Sequence, residues 1–142
     1  MAVTASIQGD WLVPPAAAIT ARLLKLSAPL SFWGGVDPKT SAIIQVRHPE
    51  CGAAIAGTIL AMPGAIGSSS SSAVLLELIR IGLAPAALVM AEPDAILLIA
   101  SLAAREMGWP PVPALKLPLA AIGNLQPGQC IISFSGIIAR DA

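Results

Sequence analysis

The stretch Gly57–Met90 sets the tightest limit on how this chain folds. "GTILAM" (Gly57–Met62) is a short apolar run closed by Pro63-Gly64, and reads as a buried strand that ends in a turn. Five consecutive serines, Ser68–Ser72, then run without a spacer into "AVLLELIRIG". Val74, Leu75, Leu78 and Ile79 fall at i, i+1, i+4 and i+5, one face of a helix, with Glu77 and Arg80 together on the other. Gly82 suits the position just past a helix end, and Pro85 forbids continuation. "AALVM" (Ala86–Met90) is again a buried strand. Strand, glycine-rich turn, helix, strand is the order of a βαβ unit.

The flanking segments are shorter and more heavily punctuated. "AAAITARLLKL" (Ala16–Leu26) puts Ile19, Ala21 and Leu23 on one side and Thr20 and Arg22 on the other, as a strand does. Gly34-Gly35 and Asp37-Pro38 mark a tightly turning loop, after which "AIIQV" (Ala42–Val46) predicts a second strand. "DAILLIASLAAREM" (Asp94–Met107) predicts a second helix, with Asp94 as N-cap and Gly108 as its stop. "GWPPVPALKLP" (Gly108–Pro118) is too rich in proline for a helix or a central strand. "GQCIISFSGIIAR" (Gly128–Arg140) reads as a hairpin turning at Ser135-Gly136. At 142 residues the expectation is one domain, 1–142.

Composition narrows the function classes. Hydrophobic residues make up 56% and charged residues 11%, and eight Lys+Arg balance eight Asp+Glu. A nucleic-acid binder needs a basic footprint, and disorder needs low hydrophobicity and high charge; neither fits. A surface so poor in charge is expected to be covered by a partner. Mean hydropathy is +0.80, yet the most apolar stretch, Leu83–Met107, is broken by Glu92, Pro93 and Asp94. The first residues lack the basic start of a signal peptide, so a cytoplasmic location with no membrane association is expected. Cys51 and Cys130 lie far apart and His48 is the sole histidine, so this chain alone is expected to bind no metal or cluster.

The serine run admits three readings from its residues. It could cap a helix and aid solubility, or it could be a linker. It could also gather unpaired N–H groups and the positive end of a helix dipole around one point, ready for a carboxylate or phosphate. The same field stabilises an alkoxide, which would let a serine act as a general base. Lys39, Arg47 and Arg80 are the nearest cations in sequence.

Three blocks in order, "PLSFWGGVDP", "AGTILAMPGAIGSSSSS" and "GLAPAAL", resemble the small subunit, or swivelling domain, of aconitase X enzymes. That family includes phosphomevalonate dehydratase of archaea and cis-3-hydroxy-L-proline dehydratase of bacteria. The resemblance runs from about Ala16 to the C-terminus. It implies an α/β fold, the swivelling β/β/α domain of the aconitase superfamily, with mixed strands forming a small barrel-like sheet and flanking helices. It further implies a large aconitase X-type subunit as partner, an iron or iron–sulfur cluster held by that subunit, and dehydration of a small hydroxy acid at the join. The superfamily's serine base corresponds to Ser68. Ser69, Ser70, Ser71 and Ser72 with Gly34 and Gly35 would then hold substrate and shape the mouth. Aconitase has a carboxylate-binding arginine where Ser70 stands here. Archaeal phosphomevalonate members tend to have a basic residue where this chain has Ile66, so the serine-rich run looks more like the hydroxyproline type. A phosphomevalonate dehydratase subunit, and a partner-binding swivelling domain without catalysis, remain the alternatives.

Overall fold

The computed structural model describes residues 6–141. Its centre is the βαβ unit. β4 (Ile59–Met62) and β5 (Ala87–Met90) are parallel, paired from Ile59↔Ala87 to Met62↔Met90, and buried at every position. Alternation splits their side chains between two cores. Leu60, Met62, Leu88 and Met90 face α2 (Ser71–Ile81) and α3 (Ala95–Glu106), whereas Ile59, Ala61, Ala87 and Val89 join a second cluster with Ala21, Leu23 and Cys130. On α2 the stripe read from the sequence is the buried one, Val74, Leu75, Leu78 and Ile79. Gly82 follows it with φ 78°, and the Leu83 N–H bonds the Leu78 carbonyl at 2.9 Å, closing the helix end. Asp94 caps α3 by accepting the Leu97 N–H at 3.0 Å.

The remaining strands extend the sheet both ways. β3 (Ile19–Lys25) lies parallel to β4 on one side and antiparallel to β7 (Gly128–Ile132) on the other. β8 (Ile137–Arg140) completes the foreseen hairpin with β7, and β1 (Ser6–Gln8) adds to β8. Beyond β5 come β6 (Ala114–Lys116) and β2 (Asp10–Val13), giving the order β1-β8-β7-β3-β4-β5-β6-β2. β1 and β2 stand at opposite ends of that order, yet only Gly9 separates them in the chain. The N-terminal stretch thus carries the sheet round on itself into a nearly closed barrel, the mixed α/β architecture that the resemblance implied. Gly9 donates to the Gly136 carbonyl at 2.8 Å, and a Cβ there would lie 2.7 Å from Leu115 Cγ. α4 (Leu119–Gly123) packs Ile122 into the second core.

Two expectations need correction. "AIIQV" makes no strand: Ala42 and Ile43 form only isolated bridges, to Ala54 and Val36 respectively. The segment is held between two different neighbours and leaves Ser41 at φ 65°, so no ladder can grow. The proline-rich stretch does contain an inner strand, because β6 lies between β5 and β2. Pro110, Pro111, Pro113 and Pro118 flank Ala114–Lys116 without entering it. The helix after the serine run starts at Ser71, so Ser68 and Ser69 precede it in a turn.

β3, β4, β5 and β6 all run in one direction. The loops that follow β3 and β4 therefore emerge at the same end of the sheet. One carries Phe32–Gly35, a four-residue helical turn designated α1, and the other carries the serines.

Candidate active site

The two loops are zipped together by backbone bonds. Leu30 N–H reaches the Gly64 carbonyl at 3.4 Å, and Ile66 N–H reaches the Leu30 carbonyl at 3.1 Å. Gly67 has φ +102°, and a Cβ on it would lie 2.3 Å from Ser31 Oγ. Only glycine meets both conditions there. The serine turn is thus seated on Ser31, a residue of the other loop that the sequence reading did not single out.

Within the turn the serines have different duties. Ser68 Oγ accepts the Ser70 N–H at 3.1 Å, and the Ser68 carbonyl accepts the Ser71 N–H at 3.0 Å. Ser72 Oγ donates to the Ser69 carbonyl at 2.9 Å. Ser70 stands at the N-cap of α2, but its side chain makes no capping bond. Ser71 is buried, and its Oγ accepts the Trp33 N–H at 3.0 Å. Ser68 and Ser69 are exposed. Among the described residues, the N–H groups of Gly67, Ser68 and Ser69 have no protein acceptor. Three consecutive donors stand open just before a helix, where the dipole favours negative charge. A charged Ser68 Oγ would already have one donor in place, the Ser70 N–H.

Gly34 and Gly35 differ as well. Gly34 is exposed at φ +78° with open space around it. Gly35 is buried against Gln45, whose Oε1 is buried without a hydrogen-bond partner among the described residues and would lie 3.1 Å from a Cβ on that glycine. Phe32 belongs to the core, whereas Trp33 is 58% exposed. Ile66, Ile44 and Val46 are exposed too, and the Ile44 N–H bonds the Gly35 carbonyl at 2.8 Å.

Among the described residues, no hydrogen bond links the ionisable groups named in the sequence to the serine turn. His48 is buried; its Nδ1 accepts the Glu50 N–H at 3.1 Å and its Nε2 meets the Ala28 carbonyl at 3.2 Å. Those partners tie the ring into the loop after β3. Glu50 in turn accepts from the Ser27 N–H and hydroxyl. Arg80, in the last turn of α2, is bound to Glu77 by two bonds of 2.9 and 2.6 Å. The hydrogen bond to Arg80 holds the Glu77 carboxyl below its ordinary range. Burial pushes the Cys130 thiol up, while Cys51 is exposed. Among the described residues no group of three or more His, Cys, Asp or Glu side chains is placed to hold a metal ion. No helix among them is long and apolar enough to cross a membrane.

Comparison with known proteins gives this geometry a context. A family model described as the aconitase X swivel domain matches residues 6–133. Over 109 residues, 77% of the chain, the sequence is 43% identical to cis-3-hydroxy-L-proline dehydratase of Pseudomonas aeruginosa, of which it covers 18%. Over 81 residues, 57% of the chain, it is 42% identical to the phosphomevalonate dehydratase small subunit of Methanopyrus kandleri, of which it covers 60%. The chain therefore spans about a fifth of the hydroxyproline dehydratase and less than two thirds of the small subunit. In fold it is similar to a chain of the crystal structure of Thermococcus kodakaraensis aconitase X in its holo-form, with a TM-score of 0.84 and 24% identity. That likeness covers 97% of this chain and 99% of the other.

Proposed function

The chain belongs to the aconitase X swivel-domain family, and from that premise we propose that it is the swivelling part of an aconitase X-type hydro-lyase, completed by a larger partner. The substrate proposed is cis-3-hydroxy-L-proline. Ser68 takes the proton from the carbon next to the carboxylate, hydroxide leaves the neighbouring carbon, and a carbon–carbon double bond and water result. Ser70 N–H stabilises the charge on Ser68 Oγ when that serine is deprotonated. The open N–H groups of Gly67, Ser68 and Ser69 receive an anionic group of the substrate, with the hydroxyls of Ser69, Ser70 and Ser72 around them. Gly34 gives the substrate room at the lip, and Gly35 sets the loop's backbone. The iron or iron–sulfur centre and the large subunit or domain that holds it are part of the same proposal, as is a cytoplasmic location.

The observation that carries this reading is the serine turn itself: three unpaired N–H donors beside a serine oxygen that already accepts one. The choice of substrate is supported by the longer match to the hydroxyproline enzyme and by apolar Ile66 just before the turn. Phosphomevalonate is the second reading, favoured by the match to the small subunit of Methanopyrus kandleri.

Reconstitution with the large partner tests both. The complex is expected to dehydrate cis-3-hydroxy-L-proline and not phosphomevalonate, and Ser68→Ala is expected to lower kcat by about 10²-fold or more. The opposite substrate preference moves the assignment to phosphomevalonate. An undiminished kcat in Ser68→Ala removes the base, and a stable complex active on neither compound leaves a partner-binding domain.

A further inference from the structure

One of the five serines is set apart by burial: Ser71 is 3% exposed. Its hydroxyl oxygen accepts the Trp33 N–H, so the first turn of α2 grips the loop after β3. The same peptide segment is gripped a second time, because Ser31 Oγ donates to the Trp33 carbonyl at 2.8 Å. Trp33 and Gly34 have left helical geometry, at φ −75°, ψ 115° and φ 78°, ψ −13°. Few residues of short loops keep such a kink without partners for their polar groups. The indole and Gly34 it presents are both exposed, at the end of the sheet where the open N–H groups lie.

We propose that Ser71 is a positioning residue, which fixes the Trp33–Gly34 lip over the serine turn and does not itself touch substrate. This rests on reading the serine turn as the active site. Without the hydroxyl, a part-buried N–H loses its acceptor, an uncompensated loss greater than the net worth of one bond. The lip then opens for a larger share of the time, and substrate must wait for or select the closed arrangement.

Amide hydrogen exchange in the full chain, read at Trp33, tests the grip directly. Ser71→Ala is expected to speed exchange of the Trp33 amide about tenfold or more, the equivalent of one lost buried acceptor. Ser71→Thr, which keeps an acceptor oxygen, is expected to restore most of the protection. Ser31→Ala removes the other grip at a half-buried position away from the helix core, and is expected to speed the same amide. Ser101→Ala is the control for general loss of stability. Ser101 is buried on α3 and its hydroxyl ties both polar groups of Val112, at 2.8 and 3.2 Å. It is expected to leave Trp33 exchange within about twofold.

In the reconstituted complex, Ser71→Ala is expected to raise KM severalfold with kcat within about threefold, unlike Ser68→Ala. Unchanged Trp33 exchange in both Ser71→Ala and Ser31→Ala overturns the proposal. So does a collapse of kcat in Ser71→Ala while Trp33 stays protected, because the hydroxyl would then be acting on substrate. If the wild-type complex dehydrates neither compound, the function proposed above fails while the exchange result stands on its own.

Discussion

Gly67 joins the two loops of the site. Its φ of +102° disfavours any side chain, and its contact with Ser31 leaves no volume for one. Gly67→Ala is therefore expected to lower stability by more than about 1 kcal/mol, read from the urea midpoint, with Ser31→Gly recovering only the steric share. A glycine before the serines is legible as a turn. Its partner is not, because Ser31 lies in another loop and no local pattern links the two. His48 shows the same limit, since only the fold reveals that both ring nitrogens serve the loop. The cysteines allow a second prediction at this scale. A thiol reagent is expected to modify exposed Cys51 in the native chain and to reach Cys130 only on unfolding. Burial raises the Cys130 thiol above its ordinary range, so the folded state keeps that proton longer than the unfolded chain does. Its share of stability is therefore full below the ordinary thiol range and is lost as pH rises through the raised value. Cys130→Ala should flatten the alkaline fall of the urea midpoint.

The two main helices begin in opposite ways. Asp94 spends its carboxylate on the Leu97 N–H, whereas Ser70 at the start of α2 caps nothing with its side chain. Asp94→Ala is expected to cost about 1 kcal/mol of stability, and Ser70→Ala less than about 0.5 kcal/mol. If Ser70→Ala costs as much as Asp94→Ala, the run is chiefly a cap, the plainer of the readings that its residues allowed. Helix ends were legible because their signals are local: Asp94 before α3, Gly82 and Pro85 after α2. The first helical residue of α2 was not, since serines serve equally in a turn, at a cap or in a first helical turn. β6 and "AIIQV" failed for a different reason. Three residues between prolines become an inner strand only because β5 and β2 stand ready on either side, while five apolar-rich residues stay irregular because no single neighbour spans them.

At the scale of the molecule, the seam that closes the sheet and the end that carries the site are built from different elements. Closure depends on Gly9, pressed against Leu115 and Leu117 and bonded to Gly136. The site depends on the loops after β3 and β4 and on the first turn of α2. The βαβ unit that supports the site was legible from one contiguous stretch. The seam was not, because β1 and β2 are short and gain meaning only from β8 and β6, far along the chain. Gly9→Ala would force a Cβ to within 2.7 Å of Leu115 Cγ and 2.9 Å of Leu117 Cδ2. The expected cost is about 1–3 kcal/mol of overpacking, read as a lower urea midpoint. None of these contacts involves Ser31, Trp33 or Gly67, so sites this separate should act additively. Protection of the Trp33 amide below the unfolding transition is expected to match that of the parent chain. If Gly9→Ala loosens Trp33 as much as Ser71→Ala does, then closure of the barrel and shape of the serine turn form one cooperative unit, and the site is held by the whole sheet rather than by its own two loops.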